Sequence, residues 1–176
     1  MLAKEKNYLL AACILYHIGA FTDFLDGWLA RKLNSTSEWG VFLDPLADKF
    51  LTGSAFVSFV ALGLANVWMV AIIIFRDVFT TMMRIVADKA KKPMVTSWSA
   101  KVKTFLQMVY ISGIIIALTC KQSSTNVLAN SCSEYVLKPE VLFYALLALT
   151  GLTVWTTVEY VIDNKSLFSE IGKKNK

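Results

Sequence analysis

The stretch "TDFLDGWLARKLNSTSEWGVFLDPLADK", residues 22–49, places Asp23, Asp26, Asp44 and Asp48 inside an otherwise oily chain. Two of these acids lie three residues apart and two lie four apart. On a helix, either spacing puts both side chains on one face. Residues 28–40 return the chain between the two pairs, so the pairs sit on antiparallel neighbouring helices and can converge. Four carboxylates gathered at partial membrane depth repel one another and lose hydration, and they need cations or protons to persist. Hard divalent ions with oxygen ligands meet that need. Singly, each aspartate can instead cap a helix or pair with Arg31, Lys32 or Lys49, and Asp44 before Pro45 has the form of a helix start.

The surroundings of this stretch decide the fold class. The chain has 176 residues, of which 56% are hydrophobic, with a mean hydropathy of +0.53. Soluble domains run nearer 45–50% apolar, roughly. The apolar residues fall in five blocks, 7–27, 41–63, 66–87, 103–120 and 140–162, each near the ~20 residues that cross a bilayer. Strand-like alternation and internal repeats are missing, so the sequence predicts an all-α integral membrane protein, a single-domain bundle with five transmembrane helices. The connectors are 28–40, a tight turn near Gly63 to Asn66, a basic loop 88–102 and a polar loop 121–139.

The net charge of +5 does not point to nucleic acid, because no basic-aromatic face accompanies it. Basic residues cluster instead at Arg31 and Lys32, in loop 88–102 with Lys101 and Lys103, and at the C-terminal "GKKNK". By the positive-inside rule that side is cytoplasmic, and the aspartate-bearing helix ends face it. Lys4 and Lys6 then fall on the opposite face. Cys13, Cys120 and Cys132 lack metal-ligand spacing. Cys120 and Cys132 flank one polar loop, where two thiols pair only in an oxidising compartment.

Gly27 and Gly40 flank the acids and let a ligand or a second helix approach the backbone, and Ala30 extends the small face. Ordinary helix packing explains the glycines equally well. Arg31 has a planar fork suited to phosphate oxygens; it also fits a snorkelling interface residue. On the third block, "IIIFRDVFTTMMR", Arg76 and Arg84 lie about two turns apart. An arginine at Arg76's depth is a functional-site candidate, with a structural pair to Asp77 as the alternative. Lys101 and Lys103 open the fourth block, either as anchors or as cations directed into the same mouth. Two arginines with one or two lysines suit a small anionic acceptor. His17 is read as a hydrogen-bonded helix histidine rather than a metal ligand. Glu159 and Tyr160 either face the site or mark the interface.

The pattern Asp23-x2-Asp26-Gly27-x2-Ala30-Arg31-x8-Gly40-x3-Asp44-x3-Asp48 resembles, without gap or substitution, the signature of the CDP-alcohol phosphatidyltransferases. The resemblance implies a membrane transferase of six helices with a dimetal site at the cytoplasmic end, acting as a homodimer in the bacterial cytoplasmic membrane. It implies two divalent ions, Mg²⁺ or Mn²⁺, one held by Asp23, Asp26 and Asp44 and the other by Asp23, Asp44 and Asp48. Asp48 would also serve as base. Gly27, Ala30, Arg31, Ser37 and Gly40 would form the CDP-lipid side.

The blocks "FLDPLADK", "IIIFRD…R", "W-x2-K-x-K-T-x2-Q" and "VEY" look like the phosphatidylglycerophosphate synthase branch, which joins glycerol 3-phosphate to CDP-diacylglycerol and releases CMP. That similarity implies Arg76, Arg84, Lys101 and Lys103 as the acceptor-phosphate site. Ala100 stands where that branch usually has glycine. Family members usually begin with a further helix, preceded by an Asn-x2-Thr-x2-Arg pattern. With Lys4 and Lys6 on the unexpected face, the expectation is a chain that starts inside the family's domain. Two rival readings stay open at this level: the same chemistry on inositol phosphate, inositol or a lipid, and a divalent cation transporter.

Overall fold

The computed structural model describes residues 2–33, 38–89, 98–123 and 127–164, with side chains throughout except at 2–6, 23–24, 26–33, 38–46, 86 and 88–89. Among the described residues there are six helices and no strand: α1 (Leu2–Leu33), α2 (Glu38–Ala61), α3 (Val67–Lys89), α4 (Trp98–Ser123), α5 (Val127–Val136) and α6 (Pro139–Asp163). The predicted all-helical class holds. The predicted polar loop at 121–139 does not, because α5 lies inside it. Its ten residues are too few and too polar to register as a span. They still form three turns, with Ser133 buried, packed against α4 and α6.

Helix ends are set by local chemistry. The chain leaves α2 through a Schellman closure. The Gly63 N–H reaches the Val60 carbonyl at 3.0 Å, and the Leu64 N–H reaches that of Phe59 at 2.8 Å. Gly63 has a φ of 71°, a left-handed conformation that costs a residue with a Cβ about 1–2 kcal/mol. Asn66 then caps α3 through its side-chain oxygen, which accepts from the Trp68 N–H at 3.1 Å. α6 starts on Pro139, with Glu140 in its first turn, a favourable charge at the positive end of a helix dipole.

α4 is the central helix, in contact with α1, α2, α5 and α6, while α3 packs on α2 and α6. The core consists of Tyr16, Phe56, Phe59, Val70, Ile73, Ile111, Ile114, Leu142 and Leu146. Phe56 stacks on Tyr110 at 6.1 Å between ring centroids and meets Phe59 edge-on at 6.4 Å. The outer surface is also apolar. Phe50, Trp68, Phe75 and Trp155 are each exposed over two thirds or more of their area, more apolar surface than a soluble monomer tolerates. Trp98–Gln122 and Pro139–Asp163 are long and apolar enough to cross a membrane. An oily exterior around a core that contains charged residues is the arrangement of a membrane protein.

Candidate functional site

The first two helices approach closely at Gly19, where a Cβ would stand 3.6 Å from Leu51 of α2. Residue 33 lies 14 residues beyond that contact and residue 38 lies 13 before it. Were the helices parallel, these ends would be about 40 Å apart, yet the five steps joining them span at most about 18 Å. The helices are therefore antiparallel. At this register position 26 of α1 is level with position 44 of α2, and position 23 with position 47, next to Asp48. Asp23, Asp26, Gly27, Ala30 and Arg31 lie on α1, and Gly40, Asp44 and Asp48 on α2. Ser37 lies outside the described residues, as do the side chains of all these positions except Asp48.

The Asp48 carboxylate is partly buried, with 18% of the side chain exposed, and pairs with Lys49 at 3.0 Å. Its own carbonyl accepts from the Thr52 hydroxyl at 3.0 Å. A carboxylate at the rim of an apolar bundle is the hard oxygen donor that a divalent ion takes. The backbone places Asp23, Asp26 and Asp44 near the level of Asp48 on α1 and α2, and carboxylate oxygens are the donors that divalent ions would take there.

Deeper in the bundle, an ionic cluster joins three helices. Asp77 of α3 is its hub. Its Oδ1 accepts from Lys103 Nζ of α4 at 2.5 Å and from Arg76 Nη1 at 3.3 Å, and its Oδ2 accepts from Gln107 Nε2 at 3.3 Å. Arg76 Nη2 donates to Thr156 Oγ1 of α6 at 3.0 Å. Lys103 is 1% exposed, Gln107 2% and Arg76 9%. Burial of this kind is sustained because each charge meets an opposite charge or a polar partner. Two atoms have no partner among the described residues, Arg76 Nε and Gln107 Oε1. Beside the cluster is a cavity of about 20 Å³ whose walls include Lys49, Thr52, Asp77 and Gln107. It connects the cluster to the helix that bears Asp48.

Four cations were expected to share one site, Arg76, Arg84, Lys101 and Lys103. Arg76 and Lys103 come together on Asp77, whereas Arg84 and Lys101 are exposed. The Arg76–Asp77 pair weighed as a structural alternative is present. Glu159 accepts from the hydroxyl of Ser99, so the C-terminal part of α6 is tied to the first turn of α4. Tyr160 is buried. His17 donates from Nδ1 to the Cys13 carbonyl at 2.8 Å, the helix-histidine bond expected for it. All three cysteines are free. Sequence reasoning gave no role to Gln107 or Thr156. Gln107 follows Lys103 by one turn, and Thr156 continues a polar stripe with Thr150 and Thr153, but neither signal identifies the partner. A larger cavity of about 300 Å³ lies at the other end of the bundle, against the Gly63 turn and Pro139. Its lining contains no titratable side chain.

The model of the CDP-alcohol phosphatidyltransferase family matches residues 1–162. The chain belongs to the CDP-alcohol phosphatidyltransferase family. Among similar proteins of this family, one from Bacillus subtilis (strain 168) is named CDP-diacylglycerol–glycerol-3-phosphate 3-phosphatidyltransferase. It is 39% identical over 107 residues, which cover 61% of this chain and 55% of that protein. Proteins of the same name from Blochmanniella floridana and Mycoplasma genitalium are 33% and 30% identical. Those matches cover 92% and 88% of this chain, and 78% and 64% of theirs. The chain spans about half the length of the first curated relatives it matches.

Proposed function

We propose that this phosphatidyltransferase-family chain transfers the phosphatidyl group of CDP-diacylglycerol to glycerol 3-phosphate, giving phosphatidylglycerophosphate and CMP. The carrying observation is the unbroken eight-position aspartate signature over residues 23–48, on two antiparallel helices. The names of the relatives in Bacillus subtilis, Blochmanniella floridana and Mycoplasma genitalium support this acceptor. So does a buried arginine with an open Nε–H, the kind of donor a phosphate oxygen takes.

In this reading Asp48 takes the proton of the acceptor hydroxyl. The hydroxyl oxygen bonds to the phosphorus that carries diacylglycerol, and that phosphorus loses its bond to the CMP phosphate, which leaves as an anion. Asp23, Asp26, Asp44 and Asp48 hold two divalent ions, Mg²⁺ or Mn²⁺, which when bound supply charge neutralisation for the diphosphate and the departing CMP. Gly27, Ala30, Arg31, Ser37 and Gly40 receive the CDP-lipid, and Arg76, Arg84 and Lys101 face the acceptor phosphate. α1, α2, α3, α4 and α6 span the bilayer, the site opens at the cytoplasmic end, and the lipid enters sideways between helices. The working unit is a homodimer.

Radiolabelled CDP-diacylglycerol in vesicles with Mg²⁺ or Mn²⁺ tests the proposal. Acceptors are glycerol 3-phosphate, inositol phosphate, inositol and a lipid alcohol, and CMP release is the readout. Equal turnover across the panel refutes the acceptor assignment. Divalent ion flux without any CMP release refutes the transferase.

A further inference from the structure

Arg76 is held at two of its three nitrogens and open at the third. Nη1 is fixed by Asp77 at 3.3 Å, Nη2 by Thr156 at 3.0 Å, and Nε has no partner among the described residues although the residue is 9% exposed. A guanidinium is a rigid plane, so fixing two nitrogens fixes the direction of the Nε–H as well. Lys103 presents the opposite case. It is 1% exposed and directed onto Asp77 Oδ1 at 2.5 Å, so its charge is taken up within the protein. Gln107 holds the other carboxylate oxygen of Asp77 at 3.3 Å. Asp77 itself is thus fixed from α4 on both oxygens.

We infer that Asp77 and Thr156 are positioning residues that aim the Nε edge of Arg76 at an anionic oxygen, and that Lys103 is the buried counter-ion of Asp77 rather than a ligand of that anion. The inference rests on the proposed reaction for the identity of the anion, the phosphate of glycerol 3-phosphate. It divides the basic residues by role. Arg76 touches the acceptor, Asp77 and Thr156 set its angle, and Lys103 and Gln107 hold Asp77 in place inside the bundle.

The test is steady-state kinetics of the full chain in vesicles, with KM measured separately for glycerol 3-phosphate and for CDP-diacylglycerol. Thr156→Val keeps shape and removes one anchor, and Asp77→Asn keeps shape and removes the charge. Each is expected to raise KM for glycerol 3-phosphate by about tenfold, the usual scale for a lost hydrogen bond to a buried charge. The KM for CDP-diacylglycerol and kcat stay within twofold or so of wild type, a split that general loosening of the fold would not give. The pair Asp77→Asn with Lys103→Met is expected to be no worse than Asp77→Asn alone, because both effects pass through one contact.

If Arg76→Met raises KM for glycerol 3-phosphate while Asp77→Asn and Thr156→Val leave it unchanged, the positioning role is refuted and the acceptor reading survives. If Arg76→Met leaves that KM unchanged, both fall. Additive losses for Asp77→Asn and Lys103→Met would show that Lys103 touches the phosphate directly, and would overturn its assignment as a counter-ion. Should Asp77→Asn fail to fold, Thr156→Val decides alone, since its hydroxyl also bonds the Thr153 carbonyl within α6 at 3.1 Å and the helix keeps its backbone ladder.

Discussion

Replacing Phe56 with alanine should destabilise the bundle far more than replacing Phe50, six residues earlier on the same helix. Phe56 is fully buried, whereas Phe50 is 71% exposed. In a water-soluble core, Phe→Ala costs about 3–5 kcal/mol, part transfer from water and part lost contact around the cavity. In a bilayer the transfer part largely disappears, because lipid is as apolar as the core. The contact part remains. Phe56 has two aromatic neighbours, Tyr110 and Phe59, each worth about 0.5–1.5 kcal/mol, and the cavity left between α2 and α4 adds to this. The expected loss is about 2–3 kcal/mol, or roughly 30- to 150-fold in the unfolding constant. Phe50→Ala should change stability by less than about 0.5 kcal/mol. Titration with SDS in mixed micelles, followed by tryptophan fluorescence, measures both. Equal losses at the two positions would refute the reasoning, since they would mean that Phe50 faces protein or water rather than lipid.

Three other outcomes follow from the site and its frame. Asp48→Asn should lower CMP release by about 10²- to 10⁴-fold, the usual contribution of a positioned base, with the variant still extracted as a folded protein; a loss under tenfold would remove Asp48 from the chemistry. Chelation with EDTA should abolish CMP release, and Mg²⁺ or Mn²⁺ added in excess should restore it; turnover that survives chelation would refute the assignment of the four aspartates as metal ligands. Gly63→Ala should destabilise by about 1 kcal/mol through its left-handed φ, while KM for glycerol 3-phosphate stays unchanged because the turn is at the far end of the bundle. A KM change would show that the two ends are coupled.

The sequence reading went furthest where one helix carries the whole signal. The aspartates at i, i+3 and i, i+4 needed only helical periodicity to be placed on two helices, and α1 and α2 carry those positions. The five apolar blocks each fall within or overlap a helix, though the helices extend past them. α1 runs from Leu2 to Leu33 and α4 from Trp98, because lysine and arginine are good helix formers even where they end an apolar run. α5 was missed because a short helix packed against its neighbours needs no long apolar block. The partners of Asp77 were illegible for a different reason. Lys103 and Gln107 stand 26 and 30 positions away in the chain, Thr156 stands 80 from its partner Arg76, and only the rotation of α4 and α6 about their axes determines that they face α3.

The Asp77 cluster also constrains how the chain is built. With α3 spanning the bilayer as proposed, Arg76 and Asp77 sit near the middle of the helix, where each charge costs about 2.5–3.5 kcal/mol to insert. Adjacent residues offset part of that cost, but Lys103 and Gln107 arrive only when α4 has been synthesised. Thr156 arrives later still, 80 residues after Arg76. α4 and α6 are long and apolar enough to cross a membrane, so they can draw α3 into its final depth instead of following it. The direction of Arg76 is then among the last features to form during synthesis. A chain halted before α6 could insert α1 to α4 and still lack one of the two anchors that hold this arginine.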